Sequence, residues 1–557
     1  MSPTPARLLL GPLLRYVDAH EATVWVQADR ACDVQILGTT TPTFCVGGHH
    51  YAIVCVDGLT PGAVIPYEVL LDGVRCWPPE DSPNPPSVIR PPAGDETLRV
   101  AFGSCRVSVP HEPPYTLTKD ADPCGREVDA LLALGARLRG QDPEQWPDIL
   151  LLLGDQVYAD EVSPGAQALI RERRRAAADG ANDPPEDDVA DFDEYTMLYA
   201  EAWSDPATRW LLSTIPSAMI FDDHDVHDDW NTSQAWADEI RKLPWWHERI
   251  IGAYMSYWIY QHLGNLSPAE LARDATLAAV RDHDGDASEI LRAFAQRSQQ
   301  DMTGSHWSFH RDLGRTRLVV LDSRAGRDLA EGRRDILSER EWGWVREQMR
   351  ADVDHLLIAT TLPWLLSPGL HHLEAWNEAV CGGAWGRPAA RLGERIRQAL
   401  DLEHWAAFQR SFTRLTDLLH EVASGARGPA PASIIVLSGD VHHAYLAEAS
   451  FPDRAPVTSA VVQAVCSPIR NPLNRRERRM LRAALARPVV CVARWLARRA
   501  GVPPAGVQWE FTGDPTFDNQ VGILDFDGRR AHLRIQKTRP EDWQDPQLHE
   551  TLSRTIC

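Results

Sequence analysis

One short stretch constrains this chain more than any other. Ile149 to Leu153 is an unbroken apolar run between Pro147 and Gly154. A run of that length reads as a strand buried on both faces, which places it inside a helix-covered sheet. Its carboxyl end delivers Asp155 and Tyr158, and open α/β sheets keep their ligand sites at such ends. The design recurs downstream, where the apolar run Ile434 to Leu437 ends in Ser438-Gly-Asp-Val-His-His443. Two strand ends each present a carboxylate behind a glycine, one with a tyrosine and one with histidines. They read as two halves of a metal site.

A chain of 557 residues has room for two or more domains. Residues 1 to 95 read as all-β, with strands expected at Ala22 to Gln27, Cys32 to Leu37, Tyr51 to Val56 and Pro66 to Leu71. A small sandwich follows, and the Gly58-Leu-Thr-Pro-Gly62 turn before Tyr67 resembles fibronectin III/Ig-like modules. Such a module serves either packing or binding, because fold alone carries no function. A proline-rich linker, Trp77 to Pro92, closes it. Residues 96 to 557 alternate buried strands with polar helices, the pattern of an α/β domain. Strands are expected at Arg99 to Ser104, Ile149 to Leu153, Ser217 to Phe221, Arg317 to Leu321, His355 to Thr360, Ser433 to Leu437 and Val457 to Val465. A hairpin turning at Asp527-Gly528 follows. Between the strands, Arg171 to Asp193 reads as an exposed, mobile loop. The aromatic-rich Pro244 to Leu263 reads as a helix and as core sooner than as a substrate platform. Arg470 to Arg499 holds ten arginines against one glutamate. That segment is either a solvated helical face or a cationic rim that makes peripheral contact with acidic lipid or draws in an anionic substrate.

Composition narrows the partners. A net charge of −21 argues against a stable nucleic-acid complex, which needs a cationic face. The first residues lack the apolar core of a secretory signal and carry no twin-arginine pair, and no window reaches the length of a membrane span. Ten dispersed cysteines suit a reducing compartment, although Cys45 and Cys55 could face each other across a hairpin. The expected location is cytoplasmic.

Four clusters stand at the expected strand ends: Phe102-Gly-Ser-Cys105, Gly154-Asp-Gln-Val-Tyr158, Phe221-Asp-Asp-His-Asp-Val-His-Asp-Asp-Trp230 and Ser438-Gly-Asp-Val-His-His443. Singly, each has a plain structural reading: a lone cysteine is usually a small hydrophobe, and an aspartate after glycine is usually a turn or cap. Together they suggest ligands. If Cys105, Asp155, Tyr158, Asp223 and Asp440 bind deprotonated, with His442 neutral, the donors carry five negative charges. A trivalent plus a divalent ion balances that set. A tyrosinate favours ferric iron, and the oxygen-rich position suits Ca2+, with Mn2+ and Mg2+ as alternatives.

These clusters resemble the motifs of the alkaline phosphatase D type (PhoD-like) metallophosphoesterases: a cysteine, Gly-Asp-x-x-Tyr, Asp-Asp-His-Glu/Asp and Gly-Asp-x-His. The resemblance runs over most of residues 99 to 540. It implies a four-layer α/β/β/α sandwich after the small β module, an Fe3+ and Ca2+ centre, and hydrolysis of phosphate diesters or monoesters by a metal-bound hydroxide. Phospholipase D-like members extend the substrates to lipids. Asp228-Asp229 stands where relatives often have asparagines, which puts the divalent ligand set in question. On two-metal logic Asp155 bridges the ions, and His224 stabilises charge or protonates the leaving oxygen. Arg324 either grips a phosphate oxygen or forms a salt bridge. His443, His371, His372 and Trp364 are expected at the pocket mouth. Two further readings stand beside this one: a phospholipase D-like hydrolase, and a non-catalytic scaffold stabilised by metal.

Overall fold

The computed structural model describes residues 5–94, 97–177, 184–300, 306–350 and 352–557. The amino-terminal part is a pair of four-stranded antiparallel sheets. One joins Leu8–Val17, Ala22–Ala28, His49–Val56 and Phe44–Val46; the other joins Thr39–Pro42, Asp33–Ile36, Val69–Leu71 and Val74–Trp77. Val24, Val26, Val34, Val54 and Val69 fill the space between them. The strand expected over Pro66 to Leu71 is split in two, Ile65–Pro66 pairing with Val88–Ile89 instead.

The edge strand Leu8–Val17 was hidden in the sequence by Gly11, Pro12 and Arg15. The pairing with Ala22–Ala28 slips around Gly11. A side chain there would meet the Trp25 carbonyl at 2.8 Å, and φ is +84°, so the bulge requires glycine. Arg15 turns inward and donates to the carbonyls of Ser217, Tyr260 and Gln261 at 3.1, 2.7 and 2.8 Å. Leu10, Leu13, Trp25 and Tyr51 share a core with the large sheets, so the β module is seated against the rest of the chain. Each such leucine contributes roughly 1.5–3 kcal/mol of burial.

Two mixed sheets form the larger part. The first runs Ser217–Ile220, Ile149–Leu153, Thr97–Gly103, Gln520–Asp527, Arg530–Lys537 and His549–Thr555; its first three strands are parallel. The second runs Phe309–Leu313, Thr316–Leu321, His355–Thr360, Ser433–Ser438, Ala460–Val465, Tyr445–Ser450 and Gln508–Phe511, with four parallel strands at its centre. Alternation explains the layering. Leu318 and Val320 face inward to the core shared with the first sheet, whereas Val319 and Leu321 face outward to Phe412, Leu415 and Leu419 of the helix Gln409–Ala423. This is the expected α/β sandwich preceded by a small all-β unit.

Several expectations change. Arg171 to Ala177 belongs to the helix Pro164–Ala177, residues 184 to 191 form a connecting segment, and 178–183 lie outside the described residues. So do 95 and 96, where the boundary between the two parts was drawn. Cys45 sits opposite His50, and Cys55 opposite Thr23, so the hairpin does not bring the two cysteines together and all ten thiols are free. Pro244 to Leu263 is helical, as Trp246–Ser256 followed by the π-turn Tyr257–His262, and Tyr254, Tyr257, Trp258 and Tyr260 are core. Among the described residues no helix is long and apolar enough to cross a membrane.

Candidate metal centre

Parallel register brings the strand ends together. In the first sheet Gly103 lies beside Leu152, and Leu153 beside Ile220, so Cys105, Asp155 and Asp222-Asp223 emerge side by side. In the second sheet Ala359 pairs with Leu437, and Ser438 with Val465, so Thr361, Asp440 and Ser467 emerge as neighbours. Two glycines permit this convergence. A Cβ on Gly154 would lie 2.5 Å from Cβ of Asp222, and one on Gly439 would lie 1.9 Å from Oγ of Ser104. Cys105, Asp155, Asp440 and His442 all hold positive φ, +59°, +52°, +65° and +50°. Non-glycine residues in that region cost ~1–3 kcal/mol each and collect at functional sites.

The donor atoms fall into overlapping groups. Cys105, Asp155 and His442 each offer an atom within 4.8 Å of the others, as do Asp155, Asp222 and Asp223, and also Asp223, Glu403 and Asp440. Asp155 is common to the first two groups and Asp223 to the last two. Tyr158 stands beside them, its hydroxyl 3.4 Å from Asp155 Oδ2 and receiving a bond from Asn471 at 3.2 Å. Among the described residues, buried Asp155 Oδ1 and Asp222 Oδ2 have no hydrogen-bond partner. Buried carboxylate oxygens left unpaired beside a thiol and an imidazole have the chemistry to hold a cation. Burial, then Asp223 and Asp222, push the Asp155 carboxyl well above its usual range against the pull of His224. Burial and then Lys119 lower His442 to about 3, which leaves its imidazole neutral and free to ligate.

Around the donors lies a frame. Asp225 accepts the backbone N–H groups of Asp155, Gln156, Val157 and Asp222 at 2.9 to 3.3 Å, fixing the Asp155 turn. His224 receives support at Nδ1 from Asp160 at 2.9 Å and packs against Tyr158, the rings tilted by 33° with centroids 4.6 Å apart. Burial opposes its charge, but Asp160 and then Asp223 and Asp155 hold the imidazolium well above the usual histidine range. Asp228 Oδ1 lies 3.8 Å from His224 Nε2. Asp229 donates its N–H to Asp223 Oδ2 at 3.2 Å. Burial and neighbouring acids raise Asp228 to about 7 and Asp229 to about 9, so this departure from the family pattern adds protonatable carboxyls beside Asp223.

Arg324 does not face a pocket. Its guanidinium is 0% exposed and is ringed by Asp222, by Asp223 at 3.1 Å, by Glu403 at 2.5 Å and by Asp440 at 3.3 Å. The salt-bridge alternative therefore describes it, because every face of the planar fork is taken by a carboxylate. His443 is buried and stacked between Tyr445 and Phe517, and Trp364 is buried in the outer core. His371 and His372 line a separate cavity of about 780 Å³ with Arg494 and Trp509. None of these four shapes a mouth over the donors. Arg470, counted with the cationic rim, is interior and donates to the Val109 and Pro110 carbonyls.

Three contributors carried no sequence signal. His404 bridges Glu374 at 2.7 Å and Asp440 Oδ2 at 3.1 Å, joining two segments far apart in the chain. Glu403 completes the Arg324 cluster. Lys119, half-buried, donates to Asn471 Oδ1 at 2.9 Å and has no carboxylate within ion-pair reach among the described residues.

A family model described as PhoD-like phosphatase matches residues 139–488. The chain belongs to the PhoD-like phosphatase family. As a member it is a phosphoesterase, and its clustered donors fit a metal cofactor. Residues 5–89 match a domain of unknown function, DUF7800. A solved structure described as PhoD is 12% identical and aligns over 100% of this PhoD-like chain and 91% of its own, with a TM-score of 0.60, which shows a common fold. Purple acid phosphatase PPD1 from yellow lupin (Lupinus luteus) seeds is 11% identical over 98% and 73% of the two chains, with a TM-score of 0.46. A dimetal phosphatase from Danio rerio is 9% identical over 83% and 99%, with a TM-score of 0.32. The last two are too distant to bear on this site. No curated protein matches the chain.

Proposed function

We propose that residues 96–557 form a phosphodiesterase built on two metal ions, carried by the β module of residues 1–95. The supporting observation is that Asp155 belongs to two adjoining donor groups at once. Cys105, Tyr158 and His442 would hold Fe3+ on one side of Asp155, and Asp223 with Asp440 would hold Ca2+, or Mn2+ or Mg2+, on the other. Such ions supply Lewis acidity and an activated water. The chain does the rest. Asp225 holds the Asp155 turn, Arg324 fixes the spacing of Asp222, Asp223 and Asp440, and Ser467 donates to Cys105 Sγ at 3.2 Å. His224, kept protonated by Asp160, gives its Nε2 proton to the departing oxygen. Lys119 faces one non-bridging phosphate oxygen from beside His442.

The substrate class follows from charge. A monoester dianion calls for several free cations, yet Arg324 is consumed by four carboxylates, and Lys119 is the lysine or arginine near the donors that, among the described residues, has no carboxylate partner. A diester monoanion suits that balance. Initial rates on matched aryl phosphate mono- and diesters test it. Faster diester turnover is expected, and a clear monoester preference would overturn the assignment.

A further inference from the structure

The helix Arg487–Arg499 is oriented against the usual rule. Its small Ala493 and Ala497 face inward, against the helix Pro368–Cys381, while Val489, Val492 and Trp495 face solvent and only Val490 and Leu496 are half-buried. Val492 is 57% and Trp495 55% exposed, and Val489 is exposed beside them. At 100° per residue, Pro488, Val492 and Trp495 form one outward stripe. Arg487, Arg494 and Arg498 run along its flank, and Arg499 lies 5.4 Å from the Trp495 ring centroid. Trp385, also exposed, adds a second indole at the carboxyl end by donating to the Arg499 carbonyl at 3.3 Å. The preceding helix Arg475–Ala484 exposes Met480 among further arginines and buries nothing.

Charge identifies what covers this face. The two helices hold nine arginines and one glutamate in a chain whose net charge is −21. Among the described residues only Arg475 and Arg478 of the nine reach carboxylates. A second copy of so acidic a chain could match the charge but would leave the indoles and valines against polar surface. An outward apolar stripe, edged by unpaired arginines and ended by tryptophans, fits the headgroup layer of an anionic bilayer. We infer that the helices Arg475–Ala484 and Arg487–Arg499 seat the protein on an anionic lipid surface. The first of them starts at Asn474, close after Asn471 of the metal centre, and Arg475 N–H is bonded to Asp120, the neighbour of Lys119. The seat therefore adjoins the donors. The inference stands on this surface and not on the reaction assigned to the centre.

The test is co-sedimentation of the full chain with large unilamellar vesicles of phosphatidylcholine, with and without phosphatidylglycerol. Binding is expected only to the mixed vesicles and is reversed by high salt. Val492→Ser with Trp495→Ser should abolish most of it. Arg487→Gln with Arg498→Gln should weaken it roughly fivefold per arginine. Leu169→Ser, at an equally exposed position on the helix Pro164–Ala177, should leave it unchanged. Thermal midpoints matching the parent show that each variant is folded. Absent binding to the mixed vesicles, equal binding by folded variants, or a dimer in sedimentation velocity that Trp495→Ser dissolves would each overturn the inference.

Discussion

The two sheets hold their carboxylates in opposite ways. At the ends of the first, Asp155 and Asp222 each keep a buried oxygen with no hydrogen-bond partner among the described residues. At the ends of the second, both oxygens of Asp440 are engaged, one by Arg324 at 3.3 Å and the other by His404 at 3.1 Å. Burial alone would protonate both. Arg324 and His404 instead hold Asp440 well below the usual carboxylate range, whereas Asp155 is driven well above it. Arg324 and His404 balance Asp440 in the second half; in the first, Arg324 also reaches Asp222 and Asp223, but among the described residues no ion pair reaches Asp155. One side of the centre is a preset frame and the other is the receptor.

The contrast can be broken from either side. The largest loss is expected for His224→Ala, roughly 10²–10⁴-fold in kcat, as for a general acid. Substrates with poor leaving groups should lose more than p-nitrophenyl esters, and a uniform loss would argue for a positioning role. Next comes the frame. His404→Ala or Glu374→Gln removes support behind Asp440, and metal affinity should fall about 10–100-fold, read by titration with a competing chelator. Lys119→Ala should lower kcat/KM about tenfold with metal content unchanged, and Lys119→Arg should restore part of it. A loss of metal in that variant would place Lys119 in the frame.

The smallest effect sharpens the contrast from outside the centre. Among the described residues His262 and His371 have no acidic partner, and burial lowers each to about 3, with His306 and His372 adding to the shift. Their folded values lie below the ordinary 6.5, so the unfolded chain binds protons first. Their neutral forms therefore support the fold fully above about pH 6.5, and that support is lost as pH falls toward 3. The slope is about 1.4 kcal/mol per pH unit for each histidine. Urea midpoints of His371→Leu against the parent between pH 7 and 5 should show a shallower acid loss in the variant.

Much of the centre was legible because its donors stand directly behind apolar runs. Ile149–Leu153 and His355–Thr360 fall where the sequence put them, and the fold brings Asp155 within reach of Cys105, His442, Tyr158 and Asp223, with Asp440 within reach of Asp223. Arg324 looked the same in sequence whether it gripped substrate or carboxylates; only the fold brings Glu403 and Asp222 to it. Glu374 and His404 belong to no motif, since the middle of the helix Pro368–Cys381 and a loop meet only after the second sheet closes. The edge strand Leu8–Val17 was hard to read because bulges and Arg15 break its alternation, and Gln508–Phe511 alternates over only four residues, too few to stand out.

Metal content with visible absorption tests the central claim most directly. Protein purified without chelator should carry two metal ions per chain, one of them iron, with a tyrosinate-to-iron band that Tyr158→Phe removes. Asp155→Asn should lose both the metal and at least ~10³ of the rate. Full hydrolysis by protein with one ion or none, or by Asp155→Asn, would contradict the account.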